Sequence, residues 1–122
     1  MNSKYIFLDI DGTLVNFKGE APASTIEALN SAKSNGHKLF VCTGRQSSQV
    51  YPWLLEQVSF DGIISSSGAN IRAGETQVSR HCLPNEKLLF LSDYFFENHI
   101  PYCIQSQDAL MMEPWCLDLI MH

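Results

Sequence analysis

The sequence lacks any apolar run near the length of about 18 residues that a membrane-spanning helix requires. One candidate stretch, residues 88–96, is interrupted by Ser92 and Asp93. Positive charge is also scarce, because 8 lysines and arginines face 13 aspartates and glutamates, for a formal net charge of −5. A chain with this balance has no basic surface for nucleic acid or anionic lipid. We therefore predict neither a membrane nor a nucleic-acid partner.

Clustered cysteines are absent as well. No two of the four cysteines have C-x-x-C spacing; they are Cys42, Cys82, Cys103 and Cys116. We also expect no secretory leader, because the segment before Tyr5 leaves no room for one. This pattern argues against a disulfide framework and against a zinc site. We expect a soluble protein in a reducing, cytoplasmic compartment.

The composition is typical of a packed globular chain, with 45% hydrophobic and 17% charged residues. Its 122 residues are enough for one modest domain, or for one domain with a fragment of another. Strands are predicted at 5–8, 37–42 and 63–65, and helices over about 24–35 and 47–57. At the start of the first helix, Ser24 and Glu27 have capping-box spacing. A hairpin over 71–82, a helix from Pro84 and a strand–turn–strand over 100–112 complete the prediction.

The most informative stretch is 5–14, where an apolar run ends in two carboxylates, a glycine and a hydroxyl. The continuous apolar run Tyr5–Leu8 favours a strand covered on both faces of a parallel sheet. Asp9 and Asp11 follow at its carboxyl end, where such sheets place their chemistry. Two carboxylates that converge on one point repel each other unless a cation or a proton relieves them. The alternative is a strand that simply runs into a turn, which Gly12 would allow.

A second polar motif follows the strand at 37–42. Thr43, Gly44 and Arg45 combine a hydroxyl, a flexible position and a free backbone at a strand end, which favours anion binding. A plain helix cap explains Thr43 and Gly44 equally well. From these residues alone both explanations remain open.

The strings Asp9-Ile10-Asp11-Gly12-Thr13 and Val41-Cys42-Thr43-Gly44-Arg45 resemble the first two signatures of the haloacid dehalogenase (HAD) superfamily, in its Cof-like, sugar-phosphatase branch. The resemblance implies that Asp9 is the nucleophile and Asp11 the general acid and base. It also implies a Mg²⁺ cofactor held by Asp9 and Asp11.

The same resemblance assigns the rest of the predicted site. Phosphate binding falls on Gly12, Thr43 and Gly44, with the Thr43 hydroxyl on the phosphoryl oxygens. Substrate binding falls on Arg45, Ser67 and Gly68, and Arg45 serves either the substrate or the loop. The branch carries Asn-Gly-Ala where this chain has Ser67-Gly68-Ala69, so an amide is missing there unless Asn70 supplies it.

The implied fold class is α/β: a Rossmann-like, three-layer parallel sheet that forms an incomplete HAD-like core, followed by the start of an α+β cap. Residues 1–78 are expected to be the N-terminal half of the core, and 79–122 a partial cap-like segment. Full members carry a later lysine and a Gly-Asp strand end that complete the magnesium site. Here the last glycine is Gly74 and the last lysine is Lys87. The exposed edge of the first strand then favours self-association or pairing with another chain.

Three functions remain open from the sequence. The first is a Mg²⁺-dependent phosphatase of small phosphorylated metabolites that works through an aspartyl phosphate, as a truncated or low-activity member of the family. The second is a catalytically inactive binding or interaction module that keeps the fold. The third is a phospho-acceptor switch of the receiver-domain kind, which fits the Asp-Gly-Thr and Thr-Gly-Arg strings less well.

Overall fold

β1 (Tyr5–Leu8) lies at one edge of a five-stranded sheet in a computed structural model that describes residues 2–120. The sheet continues in chain order through β2 (Lys38–Cys42), β3 (Gly62–Ser65), β4 (Asn70–Ala73) and β5 (Thr76–Arg80). β1, β2 and β3 are parallel, whereas β4 and β5 form an antiparallel hairpin on β3. The predicted parallel core and its hairpin are therefore confirmed.

Two helices connect the parallel strands. α1 (Ala23–Ser34) joins β1 to β2, and α2 (Pro52–Gln57) joins β2 to β3 after a single 3-10 turn at Ser47–Gln49. The predicted helix over 47–57 is thus broken in two, because Pro52 fixes its own backbone angle and opens α2 as a first-turn residue. The capping box at Ser24 is not formed, since α1 already begins at Ala23 and has no side-chain cap.

The helices cover one face of the sheet. Residues of that face, of both helices and of the loop after β1 form one hydrophobic core. The buried members are Ile10, Leu14, Val15, Leu29, Leu39, Val41, Val50, Leu54 and Val58. Because these side chains alternate along the strands with others that point away, the core fixes which face of each strand the helices cover.

The expectation that β1 is covered on both faces is wrong. Tyr5 is 66% and Phe7 58% exposed, whereas Ile6 and Leu8 pack against the core. An apolar run makes a strand suitable for burial on both faces, but it does not supply the second layer of structure that would cover the other face. In the described residues the second face of β1 has no such layer.

The structure divides into two units, of which the first ends at Arg80 and the second begins at His81. The second unit contains α3 (Asn85–Glu97), the short hairpin of β6 (Ile104–Gln105) and β7 (Leu110–Met111), and α4 (Pro114–Ile120). The hairpin strands are shorter than predicted, and α4 was not predicted at all. No helix within residues 2–120 combines the length and hydrophobicity needed to cross a membrane. The cap-like character of the second unit stays a prediction.

Gly62 is a position where the sheet leaves no space for a side chain. A Cβ atom there would lie 2.5 Å from the backbone oxygen of Arg72 and 2.6 Å from a ring carbon of Phe40. We expect Gly62→Ala to lower the free energy of unfolding by about 2 kcal/mol, because the β3–β4 pair must shift to admit the methyl group. Urea unfolding measures this loss.

Gly44→Ala is the matched control for Gly62→Ala. The nearest atom to a Cβ at Gly44 is the Ser67 hydroxyl oxygen at 3.5 Å, an ordinary contact distance, and its backbone does not require glycine. This control should change stability by no more than about 0.5 kcal/mol. Equal losses in the two variants would show that crowding at Gly62 is not the cause.

Asp61 joins the start of β2 to the loop before β3. Its carboxylate accepts the Leu39 N–H at 2.9 Å and pairs with Lys33 at 3.0 Å and Lys38 at 3.4 Å. Burial alone would raise the pKa of Asp61, but the Leu39 amide and the two lysines together lower it below its ordinary value. The carboxylate therefore stabilises the fold above the ordinary aspartate pKa of about 3.9, and this contribution is lost as the pH falls through the lower folded-state pKa.

Asp61→Asn is expected to cost about 1 kcal/mol of unfolding free energy at pH 7, because the amide keeps an acceptor for Leu39 but loses both ion pairs. At a pH below the folded-state pKa the wild type loses the same interactions, so the difference between the proteins should shrink. Urea unfolding at neutral and acidic pH measures both values. Glu56→Gln, which changes an exposed carboxylate on α2, serves as the control and should leave the unfolding free energy at pH 7 nearly unchanged.

Candidate active site

The loops that follow the three parallel strands meet at one edge of the sheet. Thr43, just after β2, donates its backbone N–H to the Ile64 oxygen of β3 at 2.9 Å. The loop after β3 donates back, from Ser66 N–H to the Arg45 oxygen at 2.7 Å and from Ser67 N–H to the Thr43 oxygen at 3.2 Å. These bonds lock the second and third loops together, so that Thr43, Gly44 and Ser67 lie at one place.

The loop after β1 is held by its own backbone. Gly12 has a φ of +78°, which glycine adopts at little cost, and its N–H donates to the Val15 oxygen at 2.9 Å. Leu14 and Val15 are buried and anchor the turn in the core. Asp9 and Asp11 stay at the surface of this loop, accessible to a ligand.

Asp9 lies next to the end of β2. Burial raises the pKa of the Cys42 thiol, and the nearby negative charge of Asp9 raises it further. Leu8 is the register partner of Val41, so Asp9 comes level with Cys42, immediately before Thr43. Within residues 2–120 the Asp9 carboxylate makes no hydrogen bond or ion pair. It is therefore accessible and has no competing partner among the described residues.

Thr43 and Gly44 offer hydrogen-bond donors beside Asp9. The Thr43 side chain is buried, and its Oγ1 accepts the Arg45 N–H at 3.0 Å. The hydroxyl proton can still be donated to an anion. The Gly44 N–H makes no hydrogen bond in the part of the chain that the structure describes. These two donors can bind one oxyanion.

Arg45 connects the first and second motifs directly. Its Nε donates to Asp11 Oδ2 at 2.6 Å and its Nη2 to Asp11 Oδ1 at 2.9 Å, so both carboxylate oxygens are engaged. Such a two-point arginine–carboxylate pair fixes geometry as well as charge. The hydrogen bond from Arg45 lowers the pKa of Asp11 below its usual value and so favours the ionised form of this side chain.

Two further contacts hold Arg45 in place. Its Nη1 donates to the Gln49 backbone oxygen at 3.0 Å, and its Nη2 donates to the Tyr51 hydroxyl at 3.0 Å. The guanidinium carbon lies 4.6 Å from the centre of the Tyr51 ring. Tyr51 is a site residue that the sequence analysis missed. No local pattern could find it, because it reaches Arg45 only through the 3-10 turn between them.

The loop after β3 carries strained backbone at the same place. Ser66 and Ser67 have φ values of 49° and 54°, which non-glycine residues adopt rarely, and Gly68 follows with 95°. Backbone in this region costs free energy and is found preferentially at functional sites. The strain turns the Ser66 and Ser67 amides toward the loop after β2. Ser67 thus lies beside Gly44, and Gly68 follows it in the same turn.

The residues present do not by themselves fit a magnesium site. Mg²⁺ prefers six oxygen ligands in near-octahedral geometry. Among the described residues, no three His, Cys, Asp or Glu side chains lie close enough to hold a metal ion. Both carboxylate oxygens of Asp11 are engaged by Arg45, which leaves the Asp9 carboxylate and backbone oxygens. A magnesium ion at this place would need further ligands besides these.

A separate cleft of about 450 Å³ lies between α2, β3 and the β4–β5 hairpin. Its lining includes Leu55, Val58, Ile63 and Arg72 but none of the predicted site residues. The candidate active site is instead the open surface formed by the three strand ends.

The order of the strands, the polar loops at their carboxyl ends and the Asp11–Arg45 pair describe a phosphohydrolase-type α/β core. Comparison with known families agrees: residues 6–115 match the family model of the haloacid dehalogenase-like hydrolases, and the chain belongs to this family. The predicted resemblance and fold class are thereby confirmed.

Several relatives are phosphatases. The chain is 30% identical over 115 residues to the pyridoxal phosphate phosphatase YbhA of Escherichia coli. The matched region includes 93% of this chain and 42% of YbhA. It is 29% identical over 108 residues to the 5-amino-6-(5-phospho-D-ribitylamino)uracil phosphatase YwtE of Bacillus subtilis. Here the matched region includes 88% of this chain and 37% of YwtE.

Solved structures give the same result. The HAD subclass IIB sugar phosphatase BT4131 superposes with a TM-score of 0.74 at 30% identity, over 89% of this chain and 43% of the other. The chain therefore spans about two fifths of the length of the relatives and structures that it matches.

Proposed function

We propose that this protein provides the nucleophilic half of a phosphatase site for small phosphorylated metabolites, with Mg²⁺ as cofactor. The single observation that carries the proposal is the free, exposed Asp9 carboxylate beside the Thr43 and Gly44 donors. A carboxylate is a weak nucleophile that needs such positioning to attack phosphorus. When bound, the metal would neutralise charge on the transferring phosphoryl group.

In the proposed reaction, an Asp9 oxygen bonds to phosphorus while the bond from phosphorus to the leaving oxygen breaks. Asp11 gives a proton to that oxygen, and an aspartyl phosphate remains on Asp9. Water then attacks phosphorus and gives its proton to Asp11, which releases inorganic phosphate and restores Asp9. Thr43 and Gly44 hold the phosphoryl oxygens throughout, and Ser67 and Gly68 border the substrate.

The ion pair with Arg45 sets a condition on this scheme. Because the hydrogen bond from Arg45 lowers the pKa of Asp11, it suits the step in which Asp11 accepts a proton and opposes the step in which it donates one. Movement of the guanidinium away from Asp11 would make protonation of its carboxylate easier. The phosphate group of the substrate is the natural alternative partner for Arg45, since arginine binds phosphate with the same two-point geometry.

Hydrolysis of an aryl phosphate tests this proposal. The full chain should release the aryl alcohol faster with Mg²⁺ than with a chelator present, and the rate should be low because the described residues do not complete a metal site. A rate that does not respond to Mg²⁺ would contradict the metal-dependent mechanism. Complete inactivity under all conditions would favour the inactive binding module, to which the incomplete ligand set also points.

A further inference from the structure

Residues 16–20, in the loop after β1, form a tight turn that we call the 16–20 turn. The Asn16 backbone N–H donates to the Glu20 oxygen at 2.9 Å, and the Gly19 N–H donates back to the Asn16 oxygen at 2.9 Å. The Asn16 side-chain oxygen also accepts the Lys18 N–H at 2.9 Å and the Glu20 N–H at 3.0 Å. An asparagine that binds the backbone after it in this way fixes a turn. The 16–20 turn is therefore held in one shape by its own hydrogen bonds.

Gly19 packs directly against Tyr51. Its φ is +75°, and a Cβ atom added there would lie 3.0 Å from the Tyr51 hydroxyl oxygen and 3.1 and 3.2 Å from two ring carbons. These distances are shorter than ordinary van der Waals contacts, so an alanine at this position would push against the ring. Glycine is thus favoured twice, once by the backbone angle and once by the Tyr51 side chain.

Tyr51 carries this contact on to Arg45. Its hydroxyl accepts from Arg45 Nη2 at 3.0 Å, and its ring centre lies 4.6 Å from the guanidinium carbon. The same Nη2 donates to Asp11 Oδ1 at 2.9 Å, beside the bond from Nε to Asp11 Oδ2. Because a guanidinium is planar and rigid, a shift at one edge turns the whole group. The position of the 16–20 turn is thereby linked to the geometry of the pair between Arg45 and Asp11.

This ion pair needs support because it is partly open to solvent. The Arg45 side chain is 32% exposed and the Asp11 side chain 49% exposed. An exposed ion pair gains little by itself, since water competes for both groups and two side chains lose rotational freedom. Contacts that already restrict the guanidinium reduce this entropic cost. Tyr51 supplies such a contact, as does the Gln49 backbone oxygen on Nη1.

We propose that Gly19 and Tyr51 are positioning residues, through which the 16–20 turn orients the Arg45 guanidinium toward Asp11. The consequence for catalysis rests on the proposed function, in which Asp11 moves a proton. The orientation itself is a property of the fold and requires neither metal nor substrate.

The competing explanation is that Gly19 serves only its own backbone. A residue with a φ of +75° favours glycine, so any side chain there strains the turn whether or not Tyr51 is near. Gly36 separates the two explanations. Its φ is +84°, and no atom of the described residues lies within 4 Å of a Cβ added there. Gly36→Ala therefore carries a similar backbone cost without a contact to any side chain.

The test measures how fast the Arg45 Nε proton exchanges with water, by NMR on the full chain without metal or substrate. A hydrogen-bonded proton exchanges more slowly than a free one, and exchange speeds up when the bond opens more often. Gly19→Ala should speed this exchange about fivefold, the change expected when one supporting hydrogen bond is lost. Gly36→Ala should leave it unchanged. No acceleration in Gly19→Ala, or equal acceleration in both glycine variants, would overturn the proposal.

Tyr51→Phe changes the same contact from the other side. It removes the hydroxyl that accepts from Arg45 and should also speed exchange of the Arg45 Nε proton about fivefold. Because both substitutions act through one contact, the variant that combines Gly19→Ala with Tyr51→Phe should exchange little faster than either alone. Effects that multiply would mean that Gly19 and Tyr51 act independently, and would overturn the proposal.

Asn16→Ala keeps the question open to test if Gly19→Ala does not fold. It removes the side-chain oxygen that holds the 16–20 turn and adds no atom next to Tyr51. Faster exchange at Arg45 Nε in this variant supports the proposal, and unchanged exchange contradicts it. Phe17→Ala, in the same turn, is its control: the Phe17 side chain is fully exposed, so this variant should exchange like the wild type.

The positioning role and the proposed function fail separately. Faster exchange in Gly19→Ala, with no hydrolysis of an aryl phosphate by the wild type, would refute the proposed function and leave the positioning role. Mg²⁺-dependent hydrolysis with unchanged exchange in Gly19→Ala would support the function and overturn the positioning role. Where both hold, Gly19→Ala should lower the hydrolysis rate about threefold and Gly36→Ala should not. Equal hydrolysis rates in the wild type and Gly19→Ala would remove the catalytic consequence.

Discussion

Asp9→Asn is expected to abolish transfer of a phosphoryl group to this protein. The asparagine amide has almost the size of the carboxylate but no negative charge, and it cannot form an acyl phosphate. Because Asp9 is exposed and makes no hydrogen bond within residues 2–120, the substitution should leave the fold unchanged. Labelling by acetyl phosphate with Mg²⁺ should fall at least about 10³-fold.

Mass spectrometry of the intact protein detects the added phosphoryl group, and hydroxylamine should release it, as expected of an acyl phosphate. Asp11→Asn provides the contrast. Acetyl phosphate has a good leaving group that needs little protonation, so this variant should still become labelled, but it should lose the label slowly because water lacks its base. Equal labelling of the wild type and Asp9→Asn would remove Asp9 from the mechanism.

Arg45→Ala is expected to raise the pKa of Asp11 toward the ordinary aspartate value of about 3.9. The direction follows from the structure, since the hydrogen bond from Arg45 is the main cause of the lowered pKa. Carboxyl carbon shifts of Asp11 measured by NMR during an acid titration report this pKa even if the chain turns over no substrate. In wild type the titration should lie at lower pH than in the variant.

The same substitution should affect catalysis. Loss of Arg45 removes the group that fixes Asp11, and we expect the hydrolysis rate to fall roughly 10- to 100-fold. The acidic limb of the pH–rate profile, where Asp11 must be ionised to accept a proton, should move to higher pH. Arg45→Lys should restore charge but only part of the rate, because lysine cannot make the two-point contact.

Tyr51→Phe is the matched control for the Arg45→Ala variant. It removes the hydroxyl that accepts from Arg45 Nη2 but keeps the ring beside the guanidinium. Its effect on the Asp11 titration should have the same direction as that of Arg45→Ala and be smaller. Identical titration of Asp11 in the wild type and Arg45→Ala would show that the ion pair does not persist in solution.

Much of the site could be predicted from the sequence because its signals are local. Gly12 follows two carboxylates at the end of an apolar strand, and Thr43 and Gly44 follow the next strand in the same way. Parallel strands place their carboxyl ends at one edge of the sheet, so adjacency of these loops followed from topology alone. The family resemblance used the same residues, and the comparisons confirm it.

Other features could not be predicted, because they depend on contacts between residues far apart in the chain. The sequence left Arg45 with two alternatives, substrate or loop, and the structure shows it bound to Asp11, 34 positions earlier. Crowding at Gly62 arises only when β4 pairs beside β3 and the Phe40 ring of β2 packs next to it. Tyr51 is close to Arg45 in the chain, but it reaches Arg45 only because the 3-10 turn between them brings the two side chains together.

The sequence by itself determined the family, the positions of the strand ends and the residues that stand there, since all of these depend on the order of neighbouring residues. Only the tertiary structure decided that Arg45 pairs with Asp11 and lowers its pKa, and that Tyr5 and Phe7 face outward. Pairing and exposure are properties of surfaces brought together by folding. An apolar residue in the sequence is equally suited to a buried face and to an exposed one.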